Sequence, residues 1–193
     1  MAGRPREFDE DEVLERALGV FWEHGYAATS LTDLLEATGL AKGSLYKAFG
    51  DKRQLFLAAL DRYLEKGRTS LDLAAAAGSP KQTLRTWLTN AMSMATCTGV
   101  RRGCFGVNCT IELAPHDEEL RERLRKQTRG LEQIYTRLIA AGIDAGEFRE
   151  GLDPAAAARW LTTMIDGLQV RGKLGLTKAA AQETVDLTLS ALE

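Results

Sequence analysis

The chain has 193 residues and a net charge of -2, with 45% hydrophobic and 27% charged residues, a balance that excludes both a disordered and a membrane-embedded protein. No run approaches the roughly 18 apolar residues that span a bilayer, and the start, MAGRPREFDEDE, has no apolar signal-peptide core, so we expect a cytoplasmic protein. Three cysteines without a C-x-x-C pair fit reduced thiols in that compartment.

Leucine and alanine dominate the chain, with 28 Leu and 27 Ala against 6 Val and 5 Ile. Because these are strong helix formers, the composition predicts an all-α fold and excludes a large parallel sheet. Apolar periodicity and glycine or proline stops predict about nine helices. We expect them near residues 9–24, 30–38, 42–49, 51–77, 81–97, 104–113, 117–142, 154–173 and 177–193.

Two short predicted helices, joined by a turn at Gly39, follow a longer supporting helix. This arrangement is typical of a helix-turn-helix, whose second short helix lies in the major groove of DNA. If Leu45 and Phe49 face inward, the outward side chains include hydrogen-bond donors, a small glycine and an aromatic hydroxyl, all of which a groove accepts. An ordinary helical hairpin is the alternative interpretation of this spacing.

The stretch from Val13 to Leu57, which contains FWEHGYAATSLTDLLEATGLAKGSLYKAFGDKRQLF, resembles the DNA-binding domain of the TetR/AcrR family of bacterial transcriptional regulators. The resemblance implies a homodimer, a recognition helix at about 42–49, phosphate contacts from Tyr46 and Lys52, and an all-helical C-terminal domain that binds an inducer. The sequence departs from the family at Ala41, where Ser or Thr is usual, because alanine cannot cap the helix or donate to a phosphate.

The predicted domains are a helix-turn-helix domain at 1–52 and a helical effector-binding and dimerisation domain at 53–193. Phosphate contacts would fix the register on double-stranded DNA, while Lys42, Ser44 and Lys47 would read base edges. Arg4 and Arg6 would neutralise flanking phosphates. The full set of predicted DNA-binding residues is Arg4, Ser30, Thr32, Lys42, Gly43, Ser44, Tyr46, Lys47 and Lys52.

The C-terminal part shows no catalytic arrangement and no metal-ligand spacing, so we expect no enzyme activity, cofactor or metal. Bulky apolar side chains with a few polar ones are typical of a small-molecule pocket, although ordinary core packing is the alternative interpretation. The predicted effector-pocket residues are Trp87, Met92, Phe105, Asn108, Glu112, Tyr135, Trp160, Met164 and Asp166, with Met94, Thr110 and Gln169 as further candidates.

Cys104 follows Arg101 and Arg102 at the predicted start of a short helix, and both features favour the thiolate over the thiol. The segment GCFGVN-x(4)-LAPHD resembles a subset of the family in which the matching cysteine senses oxidants or electrophiles. By that resemblance, DGLQVRGK brings Lys173 toward Cys104. A small buried hydrophobic residue is the alternative interpretation of this cysteine.

The last two predicted helices, with AAAARWLTTMIDGL and TVDLTLSAL, have broad apolar faces and small residues. Such faces suit a four-helix contact between two subunits, and the resemblance places the dimer interface there. The sequence therefore predicts a homodimeric repressor that an unidentified inducer releases from a palindromic operator. Release by modification of Cys104 is the alternative, and a helical enzyme or binding protein without a DNA role is a remote one.

Overall fold

The computed structural model describes residues 8–95 and 102–193, and for residues 94 and 95 it describes the backbone alone. Within these ranges the chain forms nine α-helices and no strand, which confirms the all-α prediction. No helix in the described ranges combines the length and the hydropathy needed to cross a membrane. The helices are α1 (Glu10–His24), α2 (Leu31–Thr38), α3 (Lys42–Phe49), α4 (Lys52–Ala77), α5 (Pro80–Ala95), α6 (Phe105–Glu112), α7 (Glu118–Asp144), α8 (Pro154–Lys173) and α9 (Lys178–Ser190).

Side-chain caps explain where several helices begin. The Asp9 carboxylate accepts a hydrogen bond from the backbone N–H of Asp11 at 2.8 Å and so starts α1. At α2, Ser30 Oγ accepts from the Asp33 N–H, while the Asp33 carboxylate accepts from the Ser30 N–H at 2.7 Å. These hydrogen bonds form a complete capping box and lower the pKa of Asp33.

The contacts divide the chain into two compact units, one ending at Glu65 and one beginning at Lys66. This division lies later than the predicted boundary after residue 52, because the first half of α4 supplies side chains to the core of the first unit. The ring of Phe56 packs edge-on against Phe21 at 5.2 Å between centroids and contacts Tyr26 at 4.8 Å. Helices α1 and α4 therefore both support the helix-turn-helix that α2 and α3 form.

The second unit packs α5, α7, α8 and α9 around one apolar core, and α6 lies against α7 and α8. Leucines from each of these four helices face this core, as the apolar periodicity of the sequence predicts. Fully buried members of the core are Leu71, Leu84, Leu88, Ile139, Ala158, Leu161 and Val185.

Candidate functional site

Helix α3 exposes four of its eight residues. Leu45, 1% exposed, anchors the helix, and Phe49 is half-buried beside it. The predicted base-reading residues Lys42, Ser44 and Lys47 are all exposed on α3. The helix therefore offers a continuous polar face of the kind that enters a major groove.

Two lysines of this surface lie over tyrosine rings. Lys42 Nζ is 5.7 Å from the centroid of the Tyr46 ring, and Lys52 Nζ is 4.6 Å from that of Tyr26. A cation is attracted to the face of an aromatic ring, so each pair restrains a long lysine side chain near the protein surface. The role of Tyr26 could not be predicted from the sequence, because a pairing between positions as far apart as 26 and 52 leaves no local pattern.

The remaining predicted DNA-binding residues lie around α2 and α3. Ser30 is exposed but already caps α2, Thr32 is exposed in the first turn of that helix, and Gly43 is exposed on α3. The structure brings these residues onto the described surface of the first unit, and their contact with DNA stays a prediction. Arg4 and Arg6 lie outside the described residues.

The start of α3 carries no side-chain cap. The Ala41 oxygen accepts the N–H groups of Ser44 and Leu45 at 2.9 and 3.0 Å, but its methyl side chain makes no hydrogen bond. The first N–H groups of a helix carry partial positive charge and suit a phosphate oxygen. A phosphate at this helix start would therefore be bound by backbone N–H groups alone, without the hydroxyl of a Ser or Thr at position 41.

The substitution Ala41→Ser is expected to stabilise the protein by about 1 kcal/mol, because the new hydroxyl caps α3. Chemical denaturation measures this change, and Ala48→Ser, placed inside α3, serves as the control because it gains no cap. If Ala41→Ser and Ala48→Ser had equal free energies of unfolding, another group would already cap the start of α3 in solution.

Six of the nine predicted effector-pocket residues are buried or half-buried in the second unit, namely Trp87, Met92, Phe105, Asn108, Tyr135 and Met164. All but Phe105 and Asn108 belong to the main core or pack against it. Trp87 Nε1 donates to the Tyr135 hydroxyl oxygen at 2.8 Å. Burial raises the pKa of Tyr135, so its hydroxyl stays protonated and retains a hydrogen to donate.

Asn108, Glu112, Trp160 and Asp166 are not part of the main core. Glu112 and Trp160 are exposed, and Asn108 donates from its side-chain nitrogen to the Arg102 oxygen at 2.8 Å. Asp166 has part of its side chain in solvent, yet desolvation raises its pKa to about 6. Asp166 also acts electrostatically on Tyr135, so it lies near the buried group.

The described surface of the second unit has a cleft of about 530 Å³ at the start of α5 and the connection between α7 and α8. None of the nine predicted effector-pocket residues lines it. Its walls are mostly charged, which differs from the apolar lining of a typical small-molecule site. The lining residues are Ser79, Lys81, Gln82, Arg85, Gly146, Glu147, Phe148, Arg149 and Glu193.

Cys104 is half-buried and is the N-cap of α6, which was predicted to begin at this residue, while Cys109 is buried within that helix. Desolvation raises the pKa of Cys109, which keeps its thiol protonated and unreactive. A Cβ atom at Gly103 would lie 3.3 Å from Lys173 Cε, so Lys173 packs beside the residue before Cys104. The sensor role of Cys104 and Lys173 stays a prediction.

Comparison with known proteins matches both units to one family. Residues 13–59 match the model described as bacterial regulatory proteins, tetR family, and residues 80–187 match that described as tetracyclin repressor-like, C-terminal domain. The uncharacterized HTH-type transcriptional regulator YezE of Bacillus subtilis is 36% identical over 193 residues, covering 99% of this chain and 100% of YezE. The HTH-type transcriptional repressor ComR of Escherichia coli is 30% identical over 97% of this chain and 90% of its own length.

Solved structures agree with these sequence matches. A cysteine mutant of CifR, a TetR family transcriptional regulator complexed with a 26-base-pair double-stranded operator, superposes with a TM-score of 0.84 and is 31% identical. The alignment covers 99% of this chain and 100% of that one.

Proposed function

The chain belongs to the TetR family of DNA-binding transcriptional regulators, and we propose that it acts as a homodimeric repressor released from a near-palindromic operator by a small molecule. The outer face of α3 carries the proposal, because it exposes Lys42, Ser44 and Lys47 around a buried Leu45 anchor. The likeness to ComR, which is named a repressor, favours repression over activation. We place the protein in the cytoplasm with its DNA.

DNA contacts from α3 and from the start of α4 divide into two kinds in this proposal. Phosphates bind at the uncapped helix start, at the Tyr46 hydroxyl and at Lys52, and these contacts fix the position on the duplex without reading sequence. Lys42, Ser44 and Lys47 then meet base edges in the major groove. Lysine donates to guanine O6 and N7, so we expect guanines within each half-site.

An unpartnered apolar face on α8 and α9 supports the homodimer. Trp160 is 43% exposed, Val170 is 39% exposed and Leu187 is 72% exposed, whereas large apolar side chains are usually covered in a folded protein. Gly167 lies on the same stripe of α8, and a Cβ there would meet nothing within 4 Å. A second copy of this face, related by a two-fold axis, would bury these side chains in a four-helix contact.

Release requires an effector that binds one state of the dimer more tightly than the other. We assign effector binding to the second unit, where polar groups such as the Trp87 and Tyr135 pair are buried among apolar side chains. The effector would favour a dimer whose two recognition helices no longer match successive major grooves, which lie about 34 Å apart.

The salt dependence of DNA binding tests the proposal. Fluorescence anisotropy on duplexes from the region flanking the gene is expected to give a log-log slope of affinity against salt of about -3 or steeper, since each neutralised phosphate contributes about -0.9. Because a dimer carries two copies of Lys52, Lys52→Gln should remove two phosphate contacts and make the slope shallower by about 1.8. Binding that is independent of salt, or equal on all duplexes, would contradict the proposal.

Modification of Cys104 is a second candidate for the releasing event. The half-buried position of this thiol favours it over Cys109, which is buried and has a raised pKa. In the alkylation form of this candidate, the Cys104 thiolate adds to the double bond of an electrophile such as a maleimide. A C–S bond forms, the C=C bond is lost and water supplies the proton to the neighbouring carbon.

The variant Cys104→Ser is expected to bind the operator like the native protein but to resist release by N-ethylmaleimide. Cys109→Ser is the matched control and should remain as sensitive as the native protein. Operator-release curves with intact-mass spectrometry measure both properties. Release of Cys104→Ser at the native reagent concentration would exclude the thiol as sensor and leave the small-molecule effector alone.

A further inference from the structure

The ring of Tyr26 contacts both the core of the first unit and the ammonium group of Lys52. Its centroid is 4.8 Å from that of Phe56 and 6.2 Å from that of Phe21, and both of these rings are 1% exposed. Lys52 Nζ lies 4.6 Å from the same Tyr26 centroid. Lys52 and Phe56 are one turn apart on α4, so they lie on one face of that helix. Buried neighbours therefore fix the ring, and the lysine is held against a rigid surface.

Lys52 forms no ion pair with an acidic side chain of the described residues. The Asp51 carboxylate, next to it in the chain, accepts the Gln54 N–H at 2.8 Å at the start of α4. The Asp33 carboxylate accepts the Ser30 N–H at 2.7 Å. The pKa of Asp33 is lowered mainly by its hydrogen bonds with Ser30, and the field of Lys52 is the smallest of the causes. Both carboxylates thus serve helix starts, and the ammonium group keeps its charge for an anion from outside the chain.

An aromatic ring restrains a lysine without cancelling its charge. The face of the ring carries only the partial negative charge of its quadrupole, whereas a carboxylate carries a full charge. An ammonium group has three N–H donors, and contact with a ring on one side leaves donors on the other side. A carboxylate in the place of the ring would compete with DNA for the same ammonium group. The Tyr26 ring therefore orders the long side chain and preserves the charge and the donors that a phosphate oxygen needs.

This inference rests on the proposed phosphate contact of Lys52. We infer that Tyr26 is a positioning residue for DNA binding, whose ring holds the Lys52 ammonium group where it meets a phosphate of the DNA backbone. A free lysine side chain samples many rotamers, and those that miss the phosphate lower the fraction of protein ready to bind. A cation–π contact at a partly exposed site raises the population of the held rotamer by about two- to fivefold. The two subunits of a dimer multiply this gain, so we expect about 4- to 25-fold in operator affinity.

Electron-poor rings at position 26 test the inference on the full-length protein. Tyr26→Phe keeps the ring face, and phenylalanine analogues with one, two or three ring fluorines weaken its attraction for a cation while nearly keeping its size. Fluorescence anisotropy on the tightest-binding duplex from the region flanking the gene gives each Kd, with and without Lys52→Gln. Tyr63→Leu is the matched control, because it removes a half-buried ring of the same unit that packs edge-on against Trp22 at 4.9 Å between centroids. Urea unfolding of every variant reports any loss of stability.

The Kd is expected to rise with the number of fluorines, by about fourfold or more between Tyr26→Phe and the trifluorinated ring. The rise should vanish in the presence of Lys52→Gln, because no cation then lies over the ring. Tyr63→Leu should change the Kd by one factor, whether or not Lys52→Gln is present. A purely structural role of the Tyr26 ring would instead give the same rise with and without Lys52→Gln.

An equal rise in both series, an unchanged Kd along the fluorinated series, or a Kd that falls along it would overturn the inference. A flat series together with weaker binding by Lys52→Gln would overturn the inference alone and leave the phosphate contact standing. If Lys52→Gln kept the native Kd and the native salt slope, the proposed phosphate contact would fail, and the inference with it. Equal binding to every duplex would count against the proposed function as a whole.

Discussion

An arginine in place of Leu187 is expected to leave each subunit folded and to lower operator affinity by about a hundredfold or more. Leu187 lies on α9 and is 72% exposed, so the substitution removes little packing within the subunit. In the proposed dimer, however, two arginines would be buried against each other in an apolar contact. A monomer engages one half-site and loses the gain from binding two linked sites.

Light scattering and operator titration measure the two parts of this expectation. Leu73→Arg is the matched control, because Leu73 is 68% exposed but lies on α4, which is not one of the two helices of the proposed subunit contact. The control should remain a dimer and bind DNA like the native protein. A dimeric Leu187→Arg with native affinity would place the subunit contact elsewhere on the molecule.

The substitution Gly142→Ala is expected to lower the free energy of unfolding by about 1–3 kcal/mol through overpacking. A Cβ at this position would lie 2.3 Å from Phe148 Cδ2, much closer than any van der Waals contact. Phe148 is 4% exposed and part of the core, so its ring cannot move aside into solvent. Gly142 therefore allows the chain after α7 to fold back closely against the helix.

Gly130→Ala, on the same helix, is expected to have the opposite sign. A Cβ at Gly130 would make an ordinary contact at 3.5 Å with Arg68 Cδ, so the higher helix propensity of alanine should stabilise the protein by about 0.5–1 kcal/mol. Urea unfolding of both variants, and of Gly142→Ala combined with Phe148→Leu, measures these changes. If Gly142→Ala cost as much with leucine at position 148 as with phenylalanine, the ring would not be the cause.

Local signals explain why much of the fold could be predicted from the sequence. Helix α3 was predicted at 42–49 and α8 at 154–173, and both have these bounds in the structure, because glycine stops and the Asp153-Pro154 start act within a few residues. Helix α6 was expected from residue 104, but Cys104 is its N-cap and the helix begins at Phe105. Such differences of one residue are common at helix ends.

Interactions between distant residues could not be predicted in the same way. Trp87 and Tyr135 are 48 positions apart, and Gln169 and Ala91 are 78 apart, so no periodic pattern reports their hydrogen bonds. Trp160 shows the converse, since a bulky apolar residue on an apolar stripe suggests an interior position, yet it is 43% exposed on α8. Only the packing of whole helices decides which apolar residues remain uncovered.

Selection of operators from random double-stranded DNA tests the central claim most directly. The native protein is expected to enrich sites with two inverted half-sites whose centres lie about one helical turn, roughly 10 base pairs, apart. Lys47→Ala should relax the base preference at one position in each half-site while the inverted symmetry persists. Enrichment of single, unpaired motifs, or no enrichment above random DNA, would contradict recognition of DNA by paired α3 helices.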